Sequence, residues 1–247
     1  MSYTTLNSYL KERFGCKVYK IAVDGGFTCP NRDGTLDTRG CIFCSKGGSG
    51  EFAQSRKLSV TEQLEKGKAL VSGKIRDGKY IAYFQAFTNT YAPPAVLKAK
   101  YLEAVGCPDI VALSIATRPD CLEKEVLEVI EEINKIKPVF VELGLQTVHE
   151  KTAEYIRRGY PLPVYDKAVD DLHKTGVNVV THLIIGLPGE TKEDILESTA
   201  YVCKKTDGIK LQLLHVLDGT DLAEEYRRRR IKVLTLEEYT DIIKSCV

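Results

Sequence analysis

No stretch of the 247 residues stays apolar for the ~20 residues that a membrane-spanning helix needs. The amino terminus, MSYTTLNSYLKERFG, lacks the apolar core of a secretory signal. An excess of charge of one sign is also missing. Thirty-five Lys and Arg stand against 34 Asp and Glu, a formal net charge of +1, so bulk electrostatics gives no argument for nucleic acid. There is no low-complexity segment, no linker and no internal repeat beyond alternating strand and helix patterns. Histidine is scarce. The four present, His149, His173, His182 and His215, all lie far along the chain from its cysteine-bearing loop. With 43% hydrophobic and 28% charged residues, what remains is an ordinary globular composition, long enough for one full core. Eight cysteines without a signal fit a reducing compartment, where thiols serve metals or cores, so the expected location is cytoplasmic, with no membrane partner.

Three of those cysteines, Cys29, Cys41 and Cys44, are spaced C-x11-C-x2-C in a segment rich in Asn, Asp, Gly and Thr, a composition that reads as loop. Thiols in a polar loop are poor candidates for core packing. Three thiolates from one loop make a soft metal site with a position to spare. It suits zinc completed by a distant fourth ligand, or an iron–sulfur cluster with one iron open. Cys16, Cys107, Cys203 and Cys246 lack ligand spacing, and Cys121 reads as a buried cysteine at a strand end.

Period-2 runs predict strands over Tyr19–Val23, Tyr80–Phe87, Ile110–Ala116, Val139–Leu145, Val177–Ile185 and Ile209–Val216. Helical spacing predicts a short helix within residues 1–17, packing through Leu6, Tyr9, Leu10 and Phe14. Further helices are expected over Val60–Ile75, Pro93–Val105, Glu123–Ile136, His149–Arg158, Pro163–Thr175, Lys192–Cys203, Leu222–Arg230 and Leu236–Cys246. Repeated βα units imply a parallel α/β sheet with right-handed crossovers, either an open doubly wound sheet or a partial barrel.

In either case the site lies at the carboxyl ends of the strands. Alternation puts Gln85, Phe87 and Asn89 on one face of strand two, and Ala112, Ser114, Ala116 and Arg118 on one face of strand three. Glu142, Gly144 and Gln146 share a face of strand four, His182 and Gly186 one of strand five, and Lys210 and Gln212 one of strand six. Polar side chains buried without partners are costly, so this set implies either internal ion pairs, such as Glu142 with Arg118, or a ligand site.

IAVDGGFTCPNRDGT followed by GCIFC, with FQAFTNTYAPP and SIATRPDCL further on, resembles the radical S-adenosylmethionine (SAM) superfamily, and closely its YhcC-type branch. The superfamily's commonest motif is C-x3-C-x2-C; that branch and the related Elongator catalytic subunits stretch its first spacing, as here. The likeness covers about Tyr19 to Thr220 and implies a (β/α)6 partial TIM barrel over residues 19–220, with a helical extension at 1–18 and a helical segment at 221–247. Such relatives continue for some tens of residues beyond this point. The resemblance implies a [4Fe–4S] cluster on Cys29, Cys41 and Cys44, SAM as cosubstrate, and an electron donor such as flavodoxin or ferredoxin. It also implies SAM contacts from Phe43 near the adenine, from Glu142 and Gln146 at the ribose, and from the strand-five segment around Gly186 and Glu190. Strand two carries FQAFTNT where the superfamily has a glycine-rich motif ending in Glu, which makes Gln85, Thr88 and Asn89 the candidates there. His182 and Gln212 complete the candidate cofactor set, and Arg118 and Asp120 are the candidate catalytic pair. His215 could face either way.

The same resemblance points to tRNA as the substrate, with a wobble uridine at the reacting centre, and Arg157, Arg158 and Arg227–Arg230 as candidate phosphate contacts. The competing expectations are a zinc-stabilised binding module without catalysis, and a radical SAM enzyme acting on a protein or a small molecule.

Overall fold

A computed structural model of the chain describes residues 3–74 and 78–247. Six strands form one sheet: β1 (Val18–Val23), β2 (Lys79–Phe84), β3 (Ile110–Thr117), β4 (Val139–Gln146), β5 (Asn178–Ile185) and β6 (Gly208–Leu213). They pair in chain order, and every pair is parallel. The helices are α1 (Leu6–Phe14), α2 (Val60–Val71), α3 (Pro94–Gly106), α4 (Lys124–Asn134), α5 (Glu150–Tyr155), α6 (Leu162–Lys174), α7 (Lys192–Cys203), α8 (Asp221–Arg227) and α9 (Leu236–Cys246). Among the described residues β1 and β6 are the unpaired edges, so the architecture is the expected (β/α)6 partial barrel, open on the side between them. No helix among these residues is long and apolar enough to cross a membrane.

Alternation sorts each strand into an outer and an inner face. Outward, Leu113, Ile115, Val141, Leu143 and Val179 join the helices through Leu97, Tyr101, Ile130, Tyr165 and Leu172 in one apolar cluster. Inward, the first residues of the strands are also apolar. Val18, Ile81, Ala112 and Phe140 pack against Leu10 of α1, which closes the amino-terminal end of the half-barrel. α1 sits there because Thr5 caps its first turn by accepting from the Ser8 amide at 3.1 Å, and left-handed Gly15 turns the chain into β1. Of the four residues expected on its packing face, Leu6 is 49% exposed, because the first turn overhangs the floor that Leu10 fills.

Element ends differ from the periodicity for local reasons. β2 stops at Phe84, short of Phe87, which takes a left-handed φ of 62°. β6 stops at Leu213, opposite the last residue of β5, so nothing remains for it to pair with on to Val216. α5 ends early because the chain turns at Arg157 (φ 58°) and Gly159 (φ 86°). α2 closes at Val71 and a short 3-10 turn follows over Ser72–Lys74; the expected end at Ile75 lies outside the described residues.

Ile81 is fully buried between the sheet and α1. Ile81→Ala is expected to cost roughly 2–5 kcal/mol, lowering the urea midpoint with an unchanged m-value.

Candidate active site

Above the apolar floor the inner face becomes polar. Glu142 of β4 is 1% exposed, and a buried carboxylate must be matched by donors. Its Oε1 takes the Lys20 ammonium of β1 and the Ser114 hydroxyl of β3, while Oε2 lies 2.7 Å from His182 Nε2 of β5. Burial alone would raise the Glu142 pKa, but His182 and Lys20 outweigh it and hold the carboxyl well below its usual range. Burial likewise lowers the His182 pKa, against the pull of Glu142, so the imidazole is neutral near pH 7. A neutral His182 donates from Nε2, which leaves Nδ1 to accept from Gln212 Nε2 at 3.4 Å. Four strands are thereby joined by one carboxylate.

The cysteine loop closes over the carboxyl ends of the strands. Arg32 fixes it from within, donating to the carbonyls of Cys44 at 2.8 Å and Ser45 at 2.6 Å. Buried Asn31 ties it to the segment after α5, donating to Arg157 O at 2.8 Å and approaching Cys41 Sγ at 3.5 Å. Cys29, Cys41 and Cys44 line a cavity of about 180 Å³ together with Gln85, Glu142, Gln146, His182 and Gln212. Burial pushes the Cys41 thiol up to about 11, with the neighbouring Cys44 adding to it, and burial raises the Cys44 thiol too. Such thiols need bound positive charge to ionise. Among the described residues no trio of His, Cys, Asp or Glu converges tightly enough to grip one metal ion. Three thiols facing one shared cavity form a soft ligand set for a metal group.

Two backbone departures serve this cavity. Phe87 and Gln146 both have left-handed φ, 62° and 68°, and both line it. Gln146 turns inward at the register shift between β4 and β5. Phe87 lies so close to Gly48 that a Cβ there would stand 2.5 Å from its ring.

Residues 38–202 match the Radical SAM superfamily, and residues 206–247 match the Radical_SAM C-terminal domain. The chain belongs to the radical SAM superfamily. YtqA of Bacillus subtilis (strain 168) is 46% identical over 242 residues, spanning 98% of this chain and 75% of YtqA. YhcC of Escherichia coli (strain K12) is 40% identical over 233 residues, spanning 94% of this chain and 74% of YhcC. A tRNA uridine(34) acetyltransferase of Methanocaldococcus jannaschii is 35% identical over 141 residues, covering 54% of this chain and 25% of that protein. Among solved structures, the Methanocaldococcus infernus Elp3 with an amino-terminal deletion superimposes with a TM-score of 0.68 at 19% identity, covering 93% of this chain and 53% of Elp3.

Within this radical SAM barrel, Phe43, Gln85, Thr88, Glu142, Gln146, His182 and Gln212 line the cavity, as does Arg118. Asp120 stands behind Arg118, accepting from its Nε at 2.9 Å and Nη2 at 2.7 Å. The expected Glu142–Arg118 pair does not form: Lys20 takes the carboxylate and Asp120 takes the guanidinium. Asn89 lies outside the cavity lining. Its Nδ2 bonds Ala116 O at 2.8 Å, and its buried Oδ1 has no partner among the described residues. Gly186 is also elsewhere; its α-carbon faces Leu234, with a Cβ there 2.9 Å from Leu234 Cδ1. The carboxyl-terminal segment covers it. Cys121 is buried beside Asp120, with burial raising its thiol pKa, and His215 is exposed.

The sequence patterns do not single out Lys20, Asn31, Arg32, Tyr83 or Tyr160, and they offer Arg158 only as a phosphate contact. Lys20 and Tyr83 do carry a signal, as polar residues on the inward face of their strands, in register with the later ones. Tyr160 carries none, and the basic pattern around Arg158 points to a surface and not to this site. The buried Arg158 guanidinium donates to Thr147 O at 2.7 Å, and Tyr160 lies between it and Arg118, with ring-centroid distances of 4.8 Å and 5.2 Å.

Both Glu142 and His182 have lowered folded-state pKa values. The unfolded chain therefore binds more protons in acid, and stability is lost as pH falls, first below the ordinary His value of 6.5 and then below the ordinary Glu value of 4.5. Denaturant titrations from pH 8 down to pH 4 should show this slope. Glu142→Gln should flatten its acid end while costing roughly 3–5 kcal/mol at neutral pH.

Proposed function

We propose that Cys29, Cys41 and Cys44 hold a [4Fe–4S] cluster, and that SAM occupies the adjoining cavity. One observation carries this reading: the three loop thiols and the strand-end side chains Gln85, Glu142, Gln146, His182 and Gln212 face the same space. When bound, the cluster supplies the electron that splits SAM into methionine and a 5′-deoxyadenosyl radical, which takes hydrogen from the substrate. The chain's own residues position and seal. Asn31 and Arg32 fix the loop. The Glu142–His182–Gln212 row presents a fixed set of donors and acceptors to the sugar and amino acid parts of SAM. Phe43, packed beside Ile184 and Leu214, offers an apolar surface for the adenine. Arg118, held by Asp120, places its charge near Cys29 and Cys41. Electrons come from a flavodoxin- or ferredoxin-type donor, in the cytoplasm.

The proposed substrate is tRNA, with a wobble uridine as the reacting base. The support is the tRNA uridine(34) acetyltransferase that resembles just over half of this chain. The phosphate contacts proposed from the sequence need revision. Arg158 is 1% exposed and its guanidinium is spent on backbone carbonyls and Glu150. Arg157 pairs with Asp221, Arg227 with Asp218 and Glu224, and Arg230 with Glu225. Arg228 and Arg229 are exposed and, among the described residues, carry no ion pair.

Anaerobic reconstitution with iron and sulfide should give a brown protein that cleaves SAM on reduction; a colourless zinc protein would end the proposal. Cys41→Ala should lose nearly all bound iron, while Cys203→Ala should keep it, and equal iron in the two would remove Cys41 from the ligand set. tRNA binding should weaken with salt. Replacing Arg228 and Arg229 by Gln should lower the slope of log affinity against log salt by roughly 0.7–0.9 for each phosphate no longer neutralised. An unchanged slope would take the tRNA off this face.

A further inference from the structure

Asn31 is 2% exposed, and its side-chain amide stands between the cysteine loop and the segment after α5. Nδ2 lies 2.8 Å from Arg157 O, 3.4 Å from Arg158 O and 3.5 Å from Cys41 Sγ. Two of these neighbours are carbonyl oxygens, which only accept, so the amide nitrogen and not its oxygen must face them. That nitrogen carries two hydrogens. Arg157 O takes one, at an ordinary length for N–H···O. For the other, 3.4 Å is long for oxygen, whereas 3.5 Å is within reach of the larger sulfur atom. The second hydrogen therefore goes to Cys41 Sγ. The donor is held there in advance. The Asn31 carbonyl accepts from Gly40 N at 2.7 Å, one residue before Cys41, so amide and sulfur are fixed within the same loop. Left-handed Gly159 makes the room, since a Cβ on it would stand 2.9 Å from Asn31 Oδ1.

Tethering the loop requires only the bond to Arg157 O; the bond to sulfur adds something else. We propose that Asn31, by donating to Cys41 Sγ, raises the reduction potential of the cluster on Cys29, Cys41 and Cys44, an inference that rests on the iron–sulfur reading of this cavity. Asn31 acts through Cys41, so it is a positioning residue and not a catalytic one. Reduction adds negative charge to a cluster and its thiolates. A hydrogen bond to a ligand sulfur is stronger to that more negative state and so favours it. Burial of Asn31 keeps the bond out of water, where it is electrostatically stronger. The consequence bears on function, because an electron donor of given strength then reduces a larger share of the protein.

The test is a potentiometric titration of the anaerobically reconstituted protein without SAM, read by EPR of the reduced cluster, in the wild type and in Asn31→Leu. Leucine is close to asparagine in size but donates nothing. Loss of the bond should shift the reduction equilibrium about tenfold toward the oxidised cluster, a potential lower by ~59 mV for one electron. A merely mechanical role moves it the other way, because a loosened loop admits water, which stabilises the more charged reduced state. An unchanged or higher potential at full iron content would overturn the proposal. In parallel, the protein is labelled with nitrogen-15 at its asparagine side-chain amides. Pulsed EPR of the reduced wild type should resolve a coupling to that nitrogen, and the coupling should vanish in Asn31→Leu. No coupling in the wild type, or one that persists in the variant, would also overturn it. Where Asn31→Leu fails to bind iron, the wild-type coupling decides. A wild type that assembles no cluster sinks the functional reading itself, whereas a cluster without that coupling sinks only the role of Asn31.

Discussion

A carboxylate removed from water has to be answered by the chain around it, and Glu142 imposes that demand at the centre of the half-barrel. Its two oxygens are satisfied from β1, β3 and β5 together, through Lys20, Ser114 and His182. Strands far apart in sequence thus become mutually dependent: if β1 slipped by one residue, Lys20 would point to the helices and leave the carboxylate short of a partner. The network also sets a proton position. Because burial keeps His182 neutral, its two nitrogens take opposite roles, and the polarity runs from Gln212 through His182 to Glu142 without a mobile charge. A cavity wall of that kind is preorganised, offering fixed dipoles to a polar ligand.

The division of labour along each strand follows from the same alternation. At the amino-terminal end the inward residues are apolar and sealed by Leu10. In the middle Lys20, Glu142 and His182 form a paired polar tier, and at the carboxyl end the residues are polar and open to the cavity. The apolar seal lies at the closed end and the cavity at the open end, where the loops lie. The cysteine loop would be a weakly held excursion without its long-range ties. Asn31 supplies one of them by bonding the backbone after α5, where left-handed Arg157 and Gly159 direct that backbone toward the loop. Arg32 supplies the internal clamp. Thiols of raised pKa gathered about one cavity stay protonated until a positive charge such as a metal is bound beside them.

The sequence alone determined the strands, their parallel order of secondary elements and the loop cysteines. These are written in local patterns: period-2 runs with one polar face, helical spacing between them, and thiols in a segment unable to be anything but loop. It also placed Gln85, Glu142, Gln146, His182 and Gln212 on inward faces, since alternation is a property of the strand itself. Tertiary structure decided the partners. That Glu142 chooses Lys20 and His182 over Arg118, that Asn89 turns to a neighbouring backbone, and that Leu234 covers Gly186 all depend on distances between segments remote in the chain. Burial of Arg158, in a run that reads as a basic surface, is of the same kind: a side chain's sign is local, but whether it meets water or a ring of carbonyls is settled only when the strands close around it.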